Sequence, residues 1–90
     1  MFEIISETNY TDFDIIYVNA NTPQEALIKF CEYTNEIKPC YINAMKNVSF
    51  QEALEIARDN LYFDIVCINK INDYSVYFKN DEKYRIDMIE

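Results

Sequence analysis

Glycine is absent from all 90 residues, and that absence restricts the fold more than any residue present. Tight chain reversals ordinarily use glycine's freedom to take positive φ. Here asparagine and aspartate have to serve, because their short polar side chains tolerate the left-handed region better than other residues do. They stand where reversals are needed: Asn9, Asp12, Asn35, Asn47, Asn60, Asn72, Asp73, Asn80 and Asp81 each fall between apolar segments. The chain is thereby cut into short elements.

The first two of those elements read as strands. "FEIIS" at 2–6 and "FDIIYVNA" at 13–20 are joined by "ETNYTD", and both are rich in β-branched and aromatic residues. In the second, Phe13, Ile15 and Tyr17 alternate with Ile16 and Val18. Both faces are then largely apolar, which predicts a strand inside a sheet.

Two similar stretches follow, "TPQEAL" at 22–27 and "SFQEAL" at 49–54. In each, a hydroxyl residue precedes a glutamate by three positions, so the hydroxyl can accept from the glutamate's N–H while the carboxylate reaches back. Pro23 suits the first helical position, where no N–H is needed. The predicted helices run over 23–35, burying Ala26, Leu27, Phe30 and Cys31, and over 50–60, burying Ala53, Leu54, Ile56 and Ala57. A second echo, "FDIIYVN" at 13–19 and "FDIVCIN" at 63–69, precedes its helix in one case and follows it in the other. A tandem repeat would keep the order; these are like local solutions reached twice.

Between the helices "NEIKPCYINAMKN" lacks a helical stripe, and Pro39 disfavours helix at Lys38; the expectation is irregular chain with an extended piece around Cys40 to Ile42. After the second helix "LYFDIVCINK" reads as a third long strand, then "DYSVYFK" and "KYRIDMI" as a hairpin across "NDE", with Tyr74, Val76, Phe78, Tyr84, Ile86 and Met88 on one face. The expected fold is a single α+β domain over residues 1–90, ordered β-β-α-α-β-β-β, with an antiparallel or mixed sheet and two helices on one face.

Composition narrows the chemistry. Half the residues are apolar and 16% are aromatic, which is the profile of a folded chain. With no histidine, Ser-His-Asp and Cys-His catalysis and the usual zinc sites are excluded. The missing glycine excludes the phosphate-cradling loops of nucleotide-binding motifs. Asp12 and Asp14 alternate onto one strand face and are the closest carboxylate pair, but acidic residues at a strand entrance ordinarily face water. "NDE" at 80–82 lacks the ligand positions of a calcium loop. Cys31, Cys40 and Cys67 are odd in number and widely spaced, which reads as free thiols, mainly buried, without a disulfide or metal knot. The expectation is no enzyme, no metal and no cofactor.

Sixteen acidic residues against eight basic ones give a formal charge of −8, and no Lys or Arg precedes Lys29. DNA, RNA and anionic membranes are repelled by such a chain, and a partner bound through charge is basic. The opening Met1-Phe2-Glu3 enters a strand pattern with no basic leader and no long apolar core, so the cytoplasm is the expected location. Glu25, Glu32 and Glu36 lie near one side of the first helix, with Lys29 as a partner of Glu25. Glu52, Glu55 and Asp59 share one side of the second, where like charges repel. Together with Glu3, Glu7, Asp12 and Asp14 these last three are the candidate partner-binding residues. Tyr10, Tyr33, Tyr62 and Tyr77 are expected to point outward, and tyrosine suits protein contact surfaces.

In size, acidity and lack of catalytic equipment the chain resembles the small inhibitors that bacteriophages and mobile elements encode against restriction or CRISPR nucleases. The resemblance implies a nucleic-acid mimic that occupies a groove prepared by lysine and arginine, in a nuclease or another nucleic-acid-binding enzyme. The alternative expectation is a structural or adaptor domain that self-associates, as a homodimer, through the exposed edge of the last hairpin, Tyr74 to Ile89.

Overall fold

A computed structural model of the protein describes residues 1–7, 13–61, 64–71 and 84–89. Its elements are β1 (Phe2–Glu7), β2 (Phe13–Val18), α1 (Pro23–Thr34), α2 (Pro39–Met45), α3 (Phe50–Asn60), β3 (Asp64–Lys70) and β4 (Tyr84–Ile89). The strands form one sheet in the order β3-β1-β2-β4. β1 runs antiparallel to β2 and to β3, whereas β4 runs parallel to β2. The α+β class and the mixed sheet expected from the sequence are present, and β2 is indeed internal.

Alternation assigns the two faces of the sheet. Phe2, Ile4, Ile16, Val18 and Ile65 are buried in one cluster with Ala26, Leu27, Phe30 and Cys31 of α1 and with Ala53 and Ala57 of α3. These strand residues sit in register, Phe2 opposite Val18 and Ile4 opposite Ile16, so they share the helix-covered face. Glu3, Ile5 and Glu7, opposite Tyr17, Ile15 and Phe13, share the other. α1 packs against each of the four described strands.

The helix starts follow the predicted physics. Thr22 Oγ1 accepts from the Glu25 N–H at 3.1 Å and Ser49 Oγ from the Glu52 N–H at 3.2 Å. Each such cap is worth about 1 kcal/mol. The Glu25 carboxylate reaches back one residue further than expected, accepting from the Asn21 N–H at 3.3 Å. α1 ends on Asn35, whose φ of 56° and ψ of 27° place it in the left-handed region that glycine usually fills.

The expected extended piece at Cys40 to Ile42 is replaced by α2. Lys38 is extended, as a residue before proline should be, and Pro39 then opens the helix at its first position. The same proline that forbids helix behind it favours helix ahead. With seven residues and only Met45 buried, α2 shows no stripe for periodicity to find. The Gln24 side-chain amide donates to the carbonyls of Met45 and Val48 at 2.7 and 2.8 Å, tying α1 to the turn between α2 and α3.

Among the described residues three helices therefore stand where two were expected. The expected strand at "DYSVYFK", and with it the hairpin, lies outside the described residues. β4 holds the register Phe13 to Tyr84 through Val18 to Ile89 along β2. Among the described residues no helix is long and apolar enough to cross a membrane.

Candidate functional site

The exposed side of α3 is built by the same local rules that build its buried side. Ser49 fixes the first turn, and Ala53 and Ala57, both buried, turn the helix so that a four-residue spacing faces the core. Their small side chains let α3 sit close to its neighbours, while Leu54 and Ile56 pack at the margin of the core. Glu52, Glu55 and Asp59 then fall on the opposite side, at spacings of three and four, and all three are exposed. None is paired with a cation among the described residues. Arg58 stands beside them in sequence but is engaged elsewhere, donating from Nη2 to the Ile65 carbonyl at 3.1 Å. That bond anchors the last turn of α3 to β3, where Val66 interrupts the register with β1.

The carboxylates of the first hairpin lie elsewhere. Glu3 is on the sheet face away from the helices and is only 7% exposed. One carboxylate oxygen accepts from the Tyr17 hydroxyl at 3.4 Å and the other from the Asn69 side-chain amide at 3.3 Å. Asn69 also donates to Cys67 Sγ at 3.3 Å. Tyr17 is fully buried. Glu3 is thus the centre of a satisfied polar network spanning β1, β2 and β3, as a buried charge requires. Glu7, half-buried on the same face, stands opposite Asp64 of β3, an unfavourable like-charge pairing. Asp14 is in register with Ser6, which is buried on the helix side. Asp12 lies outside the described residues.

The seven candidates are therefore not one face. Glu52, Glu55 and Asp59 form one exposed row in the helical layer, Glu3 and Glu7 lie across the sheet from it, and Asp14 sits at the sheet's end. The expected pair of Asp12 and Asp14 lies in part outside the described residues. Glu25 does pair with Lys29, Nζ to Oε1 at 3.6 Å, and Lys29 Nζ also donates to the Asn19 carbonyl at 2.7 Å.

Of the outward tyrosines, Tyr33 is 48% exposed and Tyr41 joins it at 42%; Tyr10, Tyr62 and Tyr77 lie outside the described residues. A cleft of about 320 Å³ lies between α1 and α2, bordered by Glu32, Ile37, Ile42 and Lys46 among others. A groove of about 440 Å³ adjoins it along α1 and shares Glu32 and Lys46.

The thiols divide by environment. Cys31 is fully buried, and burial, with a smaller contribution from the Glu32 carboxylate, pushes its pKa up to about 12. It is inert as a nucleophile. Cys40 is exposed and Cys67 half-buried, so the expectation of mainly buried thiols holds for Cys31 alone.

Sequence reasoning missed Gln24, Arg58 and Asn69. Their partners lie 21 and 24, 7, and 66 residues away, and the partners of Gln24 and Arg58 are backbone carbonyls. No local pattern announces a side chain that bonds a distant carbonyl. Comparison with known proteins finds no family model that matches the chain, and no curated protein or solved structure similar to it.

Proposed function

We propose that the protein is a non-enzymatic inhibitor or modulator that binds a basic, nucleic-acid-handling protein in the cytoplasm. It occludes the surface that this partner uses for nucleic acid. The observation that supports this reading best is the exposed row Glu52, Glu55 and Asp59, three carboxylates on one side of a rigid helix with no cation among the described residues to neutralise them. Over the seven residues from Glu52 to Asp59 a helix rises about 10.5 Å. About three phosphates of one strand occupy that length of duplex axis. A groove lined with lysine and arginine would meet a similar density of negative charge in either case, and the net charge of −8 steers the encounter. Its size and acidity suit an anti-restriction or anti-CRISPR role of the kind that phages and mobile elements encode.

The test is capture of partners by the tagged protein from cells of its source, in parallel with the variant E52K/E55K/D59K. The expected result is a basic nucleic-acid-binding protein that is released by raised salt, competes with added duplex DNA or RNA, and is not retained by a folded triple variant. A partner held equally by the variant, or indifferent to salt and nucleic acid, would overturn the reading.

A further inference from the structure

Strands β2, β3 and β4 run in one direction, because β1 is antiparallel to both β2 and β3 and β4 is parallel to β2. The chain therefore makes two crossovers. The first leaves β2, passes through α1, α2 and α3, and returns as β3 on the far side of β1. The second leaves β3 and reaches β4 beyond β1 and β2, so it travels across the sheet the opposite way. Crossovers between parallel strands of one sheet are nearly always right-handed. Two that share a hand but travel in opposite directions lie on opposite faces. All three helices bury residues in the cluster with Phe2, Ile4, Ile16 and Val18, which leaves the second crossover the face of Glu3, Ile5, Ile15 and Tyr17.

Burial on that face agrees. None of the described helices lies over it, yet Tyr17 is 0% exposed and Glu3 only 7%. Neighbouring strands screen a side chain from its flanks and leave its tip open, so something further covers these two. Residues 8–12 and 62–63 attach at the other end of the sheet, where Glu7 faces Phe13 and Asp64. Glu90 is one charged residue and brings no apolar surface. Residues 72–83 attach at the right end, because the Ile71 N–H donates to the Met1 carbonyl at 3.0 Å, close to Glu3 and its partner Asn69. They rejoin the sheet at Tyr84, opposite Phe13, so the whole diagonal of the face lies between their ends. Three strand spacings and the rise of a six-residue strand make that diagonal about 25 Å. An extended chain of twelve residues reaches about 40 Å. The segment also carries a suitable surface, since Tyr74, Val76 and Phe78 alternate with Ser75, Tyr77 and Lys79 and form one apolar row when extended.

We propose that residues 72–83 dock across the sheet face opposite the helices, setting Tyr74, Val76 and Phe78 against Ile5, Ile15 and Tyr17. That face is then a second, smaller core with the Glu3 carboxylate as its polar centre. It is closed to any partner, and the acidic row on α3 is untouched.

Nuclear Overhauser contacts in the full wild-type chain test the proposal directly. Side chains of residues 74–78 should show contacts to Ile5 and Ile15 within one molecule. Contacts to Ile4, Ile16 or the helices instead, none at all, or contacts that arise only between labelled and unlabelled copies would overturn it. Thiol labelling gives an independent reading in an Ile15→Cys variant whose Cys40 and Cys67 are replaced by serine. Adding V76D and F78D should speed modification at position 15 about tenfold, as local loss of cover does, while buried Cys31 stays protected. Labelling at position 15 that the two aspartates leave unchanged would overturn the docking. If both thiols open together the variant has unfolded, and the wild-type contacts decide.

Discussion

Glu3 on β1 and Glu55 on α3 are the same residue type in the same acidic chain, and the fold gives them opposite roles. Glu3 is buried and its two oxygens are divided between Tyr17 and Asn69, so its charge is spent inside the molecule. Glu55 is exposed, flanked by Glu52 and Asp59, and its charge is available to something outside. A carboxylate's contribution is set by which face of its element it occupies. Net charge alone therefore overstates the surface open to a partner.

The largest effect separates these two sites directly. Glu3→Lys places an ammonium where two donors already point and little water reaches, and should destabilise the protein by about 3 kcal/mol, the scale of an unpaired buried charge. Glu55→Lys, exposed, should change stability by no more than about 0.5 kcal/mol. Urea unfolding followed by circular dichroism measures both. Equal losses at the two positions would mean that the Glu3 network carries no special weight. Glu3→Gln keeps an acceptor for Tyr17 and should fall between them.

The thiols repeat the comparison with a proton as the probe. Below pH 9 Cys31 is protonated in both the folded and the unfolded chain, and it contributes nothing to pH dependence. From the ordinary value of 9.0 up to about 12 the unfolded chain loses this proton while the folded chain keeps it. Stability therefore falls with rising pH, by about 1.4 kcal/mol per pH unit at the steepest. The stability gap between wild type and Cys31→Ala should narrow as pH is raised through this window. Tyrosine and lysine titrations are common to both chains and cancel in the difference. At pH 8 a thiol reagent should modify exposed Cys40 in the native protein and reach Cys31 only on unfolding. Early modification of Cys31 would contradict its burial.

Much of this arrangement is legible in the sequence where a residue's role is local. The caps at Thr22 and Ser49, the buried stripe Ala26-Leu27-Phe30-Cys31, the two faces of β2 and the left-handed Asn35 all follow from neighbours within four residues. α2 escapes because one buried methionine makes no period, and because Pro39 is informative in two directions at once. The site is harder still. Glu3 and Glu52 look alike as letters, and only the Asn69 partner, 66 residues away, shows that one of them is internal. The relation of β1 to β3 is a property of topology, and no window of sequence contains it.

The smallest effect concerns the repulsion within the α3 row. Glu55 lies three residues after Glu52 and four before Asp59, the two spacings at which helical side chains meet, and like charges there cost a few tenths of a kcal/mol per pair. Glu55→Gln removes both repulsions and keeps a good helix former, so it should raise stability by about 0.5 kcal/mol at low salt. Raised salt should shrink the gain, because exposed charges are screened over about 10 Å at 0.1 M. The same substitution should weaken binding to a basic partner. A residue kept at a small cost to folding and needed for binding is what an interaction surface requires, whereas Glu55→Gln proving neutral for stability and for binding alike would reduce the row to ordinary solvated charge. Glu3→Gln supplies the contrast within the same molecule: it should lower stability and leave binding untouched.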